Sequence, residues 1–169
     1  MANTAAVLVG DPFVLLPNSL VEIHHALEGS LHAIAAAAGA PLEQLVMQAG
    51  AAGGFMEGHH AMEENIVFPG LRRYGKLRST DVAFLDACER DHRTIHALCA
   101  RLLGETKAAH PRATEIVLVA RELHCAFVAH IAEEEVGLST DRLRTMVDDA
   151  GLAAIGRGLE EARKKYPPR

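Results

Sequence analysis

Histidine is the residue type in this sequence whose number and spacing suggest chemistry, because ten histidines occur in 169 residues. Neutral imidazole is the commonest metal ligand in proteins. Several histidines are followed four residues later by a second ligand-type side chain, and three of these pairs form the candidate set. The pairs are His59 and Glu63, His92 and His96, and His130 and Glu134. Because residues four apart lie on one face of an α-helix, each pair can reach a single point.

Together with one further histidine these pairs form a candidate metal site of five imidazoles and two carboxylates. Its members are His24, His59, Glu63, His92, His96, His130 and Glu134. A carboxylate has two oxygens and can bridge two cations, whereas an imidazole binds one, so this set suits two adjacent ions better than one. Nitrogen and oxygen ligands without a thiolate favour iron or manganese, with zinc left open.

The elements that must position these side chains are predicted to be helices. Hydrophobic residues make up 49% of the chain and aromatic residues only 4%, and Ala and Leu, which are strong helix formers, supply much of the apolar share. Apolar periodicity and capping residues predict four long helices. They run from Leu20, capped by Ser19, to a stop at Gly39-Ala40-Pro41; from Pro41 to about Val67; from Ser79-Thr80-Asp81 to about Leu103; and from about Arg112 to Leu138.

Four helices with short links predict an all-α, up-down-up-down four-helix bundle over residues 19–140, an architecture that builds metal sites in its core. Residues 141–169 are predicted to form a helical extension packed on the same domain, with a segment capped by Ser139-Thr140-Asp141 and another over Gly151–Tyr166 ended by Pro167-Pro168. In the second helix, Gly50, Gly53, Gly54 and Gly58 suggest close helix contact, with a break at Gly53-Gly54 as the alternative.

The register of the second helix decides which of two adjacent histidines faces the core. His59 shares its face with Phe55, Met62 and Ile66, and we expect it to point inward. The face of His60 is more mixed, because it carries Glu64 beside Met56 and Val67. A pair of His60 with Glu64, shifted by one residue, is the alternative. We expect His25, His32, His60 and His124 on helix flanks and His110 in a loop.

Charge and cysteine content exclude several function classes. The formal net charge of −5 gives no electrostatic reason to expect a nucleic-acid partner. Cys88, Cys99 and Cys125 are odd in number and lack CxxC spacing, so we expect buried free thiols rather than disulfides or a thiolate zinc site. Neither a signal peptide nor an apolar stretch of transmembrane length is evident, and no membrane partner is expected. These features predict a cytoplasmic protein.

The order of ligand-type residues resembles that of the hemerythrin-like, or HHE cation-binding, domain. The resemblance rests on His24, His59-xxx-Glu63, His92-xxx-His96 and His130-xxx-Glu134, with matching neighbours in Ile23-His24-His25-Ala26-Leu27, in the Glu63-Glu64 pair and in Val67-Phe68-Pro69. It spans roughly Leu20 to Leu138.

This resemblance implies a non-haem di-iron centre with two carboxylate bridges and one solvent-derived oxygen bridge. His92, His96 and His130 would hold one iron, while His24 and His59 would hold the other. The second iron would keep an open position for O2, NO or peroxide. Oxygen-carrying members have an aspartate five residues after the last histidine. This chain has Glu134 at four and Glu135 at five, which argues against a simple oxygen carrier.

Two other classes of function are compatible with the sequence. A ferritin-like di-iron oxidase or peroxidase-type enzyme carries ExxH motifs on two helices and a glutamate on each of the others. Glu57-xx-His60 and Glu89-xx-His92 match the motif, but helix one offers no inward glutamate. The third class is a metal-free helical interaction module. The surplus of histidine over carboxylate favours the hemerythrin-like binding protein over an enzyme.

Overall fold

The computed structural model describes residues 11–165, and all regular structure within that range is helical, which confirms the predicted all-α class. The elements are α1 (Pro12–Ala36), α2 (Leu42–Met62), a π-helical turn (Glu63–Val67), α3 (Phe68–Tyr74), α4 (Ser79–Thr106), α5 (Ala113–Gly137), α6 (Thr140–Met146) and α7 (Asp149–Lys165). The predicted helix end at Pro167-Pro168 lies outside the described residues.

Helix α1 begins about two turns earlier than predicted, and Asp11 rather than Ser19 caps it. The Asp11 carboxylate accepts a hydrogen bond of 3.0 Å from the Phe13 N–H. Pro17 lies inside the helix and lacks the N–H that would bond the Phe13 carbonyl. The Thr140 hydroxyl donates to that carbonyl at 2.9 Å instead. A contact from a distant helix thus compensates for the proline inside α1.

The second predicted helix continues past its expected end at Val67. The chain widens into the π-helical turn, where the Phe68 N–H bonds the Glu63 carbonyl, and proceeds through Pro69 to Tyr74. A π-turn inside an α-helix is rare and is found frequently at functional sites.

No helix break occurs at the glycines of α2. A Cβ on Gly53 would lie 2.7 Å from Leu103 Cδ2, so a larger residue at this contact between α2 and α4 would force the Leu103 side chain to shift. The other three glycines, Gly50, Gly54 and Gly58, face open space. The close-contact prediction therefore holds at Gly53 alone, and the predicted alternative of a break is wrong.

The four long helices form a closed ring of neighbours, in which α1 and α4 each pack on both α2 and α5. Helix α7 packs on α1, α3 and the π-helical turn. A Cβ on Gly70 would lie 2.5 Å from Ile155 Cγ1, so α3 and α7 are in direct contact. The up-down-up-down order of the bundle and its boundary at residue 140 stay predictions.

Two apolar clusters make up the core, and they lie at different heights along the ring. The first contains Leu27 and Leu31 of α1 with Met56, Ile95 and Phe127 from the other long helices. The second contains Leu20 of α1 with Val67, Phe68, Cys88 and Leu138. Along α1, α2 and α4, the residues between these clusters are the buried histidines. A polar layer is therefore enclosed between two apolar ones.

The cysteines are unpaired, as expected for a chain without a disulfide framework. Cys88 and Cys99 are buried, but Cys125 is exposed, which corrects the expectation that all three are buried. Within residues 11–165, no helix is both long enough and apolar enough to cross a membrane.

A buried carboxylate fixes the start of α4. Asp81 is fully buried and accepts hydrogen bonds from the Arg78 N–H and guanidinium at 2.9–3.0 Å and from Arg142 at 2.8 Å. These hydrogen bonds outweigh burial and lower the pKa of Asp81 from 3.8 to about 2. The contact with Arg142 ties α6 to the helix that carries His92.

Replacing Asp81 with Asn tests this anchor. Because hydrogen bonds to a charged group contribute roughly 1.5–3 kcal/mol each, we expect Asp81→Asn to unfold at clearly lower denaturant concentration than wild type at pH 7. Since the folded-state pKa is depressed, this stabilisation is present above pH 3.8 and is lost as the pH falls towards 2. The difference in unfolding denaturant concentration between the two proteins should therefore shrink below pH 4. A constant gap from pH 7 to pH 2.5 would contradict the charged anchor.

Candidate metal centre

Seven ionisable side chains fill the polar layer, and each of them is at most 5% exposed. They are His24 on α1, His59 and His60 on α2, Glu63 at the start of the π-helical turn, His92 on α4, and His130 and Glu134 on α5. Each long helix of the ring therefore contributes to the layer. Six of the seven side chains belong to the set predicted from the sequence.

The first group in the layer combines two imidazoles with both carboxylates. Donor atoms of His24, His59, Glu63 and Glu134 all lie within 4.8 Å of one another. The Nε2 of His59 is 3.3 Å from Glu63 Oε1, and the Nε2 of His24 is 3.3 Å from Glu134 Oε2. These distances leave room for a cation between the donors.

The second group consists of the three imidazoles of His60, His92 and His130. The Nε2 atoms of His92 and His130 are 3.1 Å apart. The His60 ring is stacked on that of His92, with 3.9 Å between the ring centroids. His60 is not among the ligands predicted from the sequence.

The two carboxylates lie between the groups. Glu63 Oε1 is close to His59, as given above, while its Oε2 is 3.6 Å from His92 Nε2. Glu134 Oε2 is 3.3 Å from both His24 Nε2 and His130 Nε2. Each carboxylate therefore contacts an imidazole of both groups, the arrangement that a bridging ligand needs.

Many polar atoms of the layer have no hydrogen-bond partner. They include His24 Nε2, His59 Nε2, both ring nitrogens of His60, and both oxygens of Glu63 and of Glu134. Buried polar groups in folded proteins are nearly always hydrogen-bonded, because an unpaired one is costly. Unpaired imidazole nitrogens and carboxylate oxygens facing one another fit a bound cation, so the residues present suit a metal site.

The pKa values of the side chains in the metal-free layer are determined by burial and by the contacts just described. Burial lowers the pKa of His24, but the adjacent Glu134 and Glu63 carboxylates outweigh it and raise the pKa to about 10. Burial and the neighbouring Glu134 charge raise the pKa of Glu63 to about 8. Burial and His24 lower the pKa of His59 to about 3, and burial and His92 lower that of His60 still further. His59 and His60 are thus neutral and available to bind a metal.

His96 lies outside both groups. Its side chain is 37% exposed, and its Nε2 is 3.1 Å from Glu64 Oε1. The role predicted for His96 as a ligand stays a prediction, but the structure does not bring it to the carboxylates of Glu63 and Glu134.

The expectation that His60 lies on a helix flank is wrong, because its ring is fully buried. Met56 and Val67, which share its face, are 0% and 1% exposed, whereas Phe55 beside His59 is 45% exposed. These two apolar neighbours were the sequence signal that His60 is buried, but the presence of Glu64 on the same face argued against it. His25, His32 and His110 are exposed and His124 is partly buried, as expected for residues outside the site.

Comparison with known proteins agrees with this site. The family model of the hemerythrin HHE cation-binding domain matches residues 16–160. The chain belongs to the hemerythrin HHE cation-binding family. No curated protein and no solved structure matches the chain. Membership confirms the resemblance inferred from the histidine and glutamate pattern.

The charge of Glu63 should destabilise the metal-free protein. Because the pKa of Glu63 is raised from 4.5 to about 8, its neutral form is favoured in the fold, and stability is lost as the pH rises between these values. We expect Glu63→Gln, which stays neutral, to melt higher than wild type at pH 8 in the presence of a chelator. The difference in melting temperature between Glu63→Gln and wild type should narrow towards pH 5. The matched control is Glu133→Gln at an exposed position, and equal pH profiles for all three proteins would contradict this account.

Proposed function

We propose that the chain binds two iron ions in the polar layer and that O2, NO or peroxide binds beside His24 and His59. The observation that supports this most is the position of Glu63 and Glu134 between two groups of imidazoles. One ion would be held by His24 and His59, and the other by His92, His130 and a third imidazole. The two carboxylates would be shared by both ions.

The donor set favours iron. Imidazole and carboxylate ligands suit iron and manganese, whereas soft metals prefer thiolates. Cys88 belongs to the adjacent apolar cluster, but burial raises the pKa of its thiol well above the usual range. A thiol that stays protonated is a poor metal ligand. Membership in a cation-binding family supports a bound metal ion at this site.

We infer that His60 provides the third imidazole of the second ion. Its ring is buried against His92, and neither ring nitrogen has a hydrogen-bond partner. His96 instead lies at the edge of the site and bonds Glu64. The ligand set would then be the predicted one with His60 in the place of His96.

The unequal number of imidazoles supports an open position beside His24 and His59, where only two are available. A small cavity adjoins this side of the layer and is lined by Pro17, Leu20, Val21 and Leu138 next to His24, Glu134 and Glu135. When bound, the iron pair would supply the centre at which O2, NO or peroxide is held. The apolar wall would limit access by water and larger molecules.

The ferritin-like oxidase is the less favoured alternative. Its ExxH glutamates do not enter the polar layer, because Glu57 is exposed and Glu89 pairs with Arg72 at 3.1 Å. Helix α1 contributes only His24 to the buried polar set. The site therefore favours reversible binding or sensing over oxidase chemistry. Unpaired thiols are compatible with the cytoplasmic location that we expect.

Metal content of paired variants tests this proposal. We expect about two iron ions per chain after anaerobic loading with Fe2+, because two shared carboxylates and five imidazoles can satisfy two ions. His60→Ala should reduce the content towards one, whereas His96→Ala should leave it near two. Metal analysis by mass spectrometry measures the content, and circular dichroism shows whether each variant stays helical. Loss of iron in His96→Ala but not in a folded His60→Ala would restore His96 as the ligand. A wild-type protein without metal would contradict the proposal as a whole.

A further inference from the structure

Two imidazoles of the polar layer are hydrogen-bonded, at the ring nitrogen that faces away from the layer, to carboxylates outside it. The Nδ1 of His24 is 3.0 Å from Glu135 Oε1, and the Nδ1 of His92 is 3.0 Å from Glu64 Oε1. In both rings the opposite nitrogen, Nε2, faces the layer. Each ring is thus placed between an outer and an inner carboxylate.

The outer carboxylates occupy equivalent sequence positions. Glu64 directly follows Glu63, and Glu135 directly follows Glu134. A step of one residue turns a side chain by about 100° around an α-helix such as α5, and consecutive residues of the π-helical turn also point in different directions. The two glutamates of each pair therefore point to different places. The first of each pair enters the layer and is fully buried, while the side chains of Glu64 and Glu135 are 35% and 27% exposed.

Each outer glutamate contacts a histidine of a neighbouring helix. Glu135 on α5 bonds His24 on α1, and Glu64 in the π-helical turn bonds His92 on α4. Glu64 also contacts His96, which places His96 beside this carboxylate. The other three imidazoles of the layer have no such hydrogen bond. The Nδ1 of His130 is 3.7 Å from the Asp91 carboxylate and has no hydrogen-bond partner. The Nε2 of His59 and both ring nitrogens of His60 also lack a partner.

A carboxylate at Nδ1 has a defined consequence for metal binding. It accepts the Nδ1–H, which fixes the proton on that nitrogen and leaves the Nε2 lone pair for a cation. It also fixes the orientation of the ring and makes Nε2 a stronger donor. The effect needs no ionisation change at the glutamate, only an acceptor oxygen at this position.

We propose that Glu135 and Glu64 are positioning residues that orient His24 and His92 for the two metal ions. Glu135 acts on the ion held by His24 and His59, and Glu64 on the ion held by His92 and His130. The inference rests on the proposed two-ion site, to which it adds a role for the second glutamate of each pair.

Cobalt binding provides a test that does not depend on activity. Co2+ is added to the metal-free protein, visible absorption reports its coordination, and competition with a chelator gives the affinity of each ion. Because loss of such an outer carboxylate typically weakens metal binding 10- to 100-fold, we expect Glu135→Ala to weaken one ion by roughly that factor. Glu64→Ala should weaken binding of the other ion. Each variant should therefore bind its two ions with unequal affinities.

Matched variants separate positioning from a structural contribution. Glu133→Ala removes an exposed glutamate next to the site and should bind cobalt like wild type. Glu135→Gln keeps an acceptor oxygen for the Nδ1–H and should recover most of the affinity that Glu135→Ala loses. His96→Ala leaves the bond from Glu64 to His92 in place and should not weaken binding. Melting temperatures of the metal-free variants show whether each is folded.

Equal cobalt affinities of Glu135→Ala and Glu133→Ala, with wild type binding two ions, would overturn this inference while leaving the two-ion site intact. The same holds if Glu135→Gln is as weak as Glu135→Ala. A wild-type protein that takes up no cobalt or iron would overturn the proposed function, and this inference with it.

Discussion

The structure depends on the burial of Glu63 and Glu134 side by side without hydrogen-bond partners. Removing a carboxylate from water costs several kcal/mol, and two close negative charges add to that cost. In the metal-free protein the neighbouring imidazoles offset part of this cost. The Glu134 and Glu63 carboxylates raise the pKa of His24 against the effect of its burial, and His130 and His24 lower the pKa of Glu134 against the effect of burial. Bound cations would satisfy both carboxylates. Burial of these carboxylates is therefore better explained by ligand binding than by a contribution to the stability of the fold.

The remainder of the fold supports this layer from both ends. Apolar clusters enclose it, with Leu27 and Phe127 on one side and Phe68 and Leu138 on the other. The cluster beside Leu138 also receives α6 and α7, so these helices complete the apolar cover on the side of the π-helical turn. A tightly packed interior resists rearrangement, so these clusters restrict the orientation of the imidazoles between them.

Much of the site was predictable because HxxxE spacing translates directly into a shared helix face. Spacings of four residues found five of the seven side chains of the polar layer, and His24 was added as one further histidine. The all-α class followed from composition and periodicity. His60 was missed since burial of its face depends on packing of Met56 and Val67 against other helices. The π-helical turn and the early start of α1 were also missed. In α1 the compensation of Pro17 depends on a long-range contact, the hydrogen bond from Thr140 to Phe13, which no local pattern reveals.

We propose that two ions share Glu63 and Glu134. Anomalous diffraction at the iron edge from crystals of the iron-loaded protein tests it most directly, because it locates each ion independently of the ligand assignment. The account predicts two peaks about 3.5–4 Å apart, one between His24 and His59 and the other among His60, His92 and His130, with a carboxylate reaching both. A single peak, or a peak beside His96 and Glu64 at the edge of the layer, would contradict it.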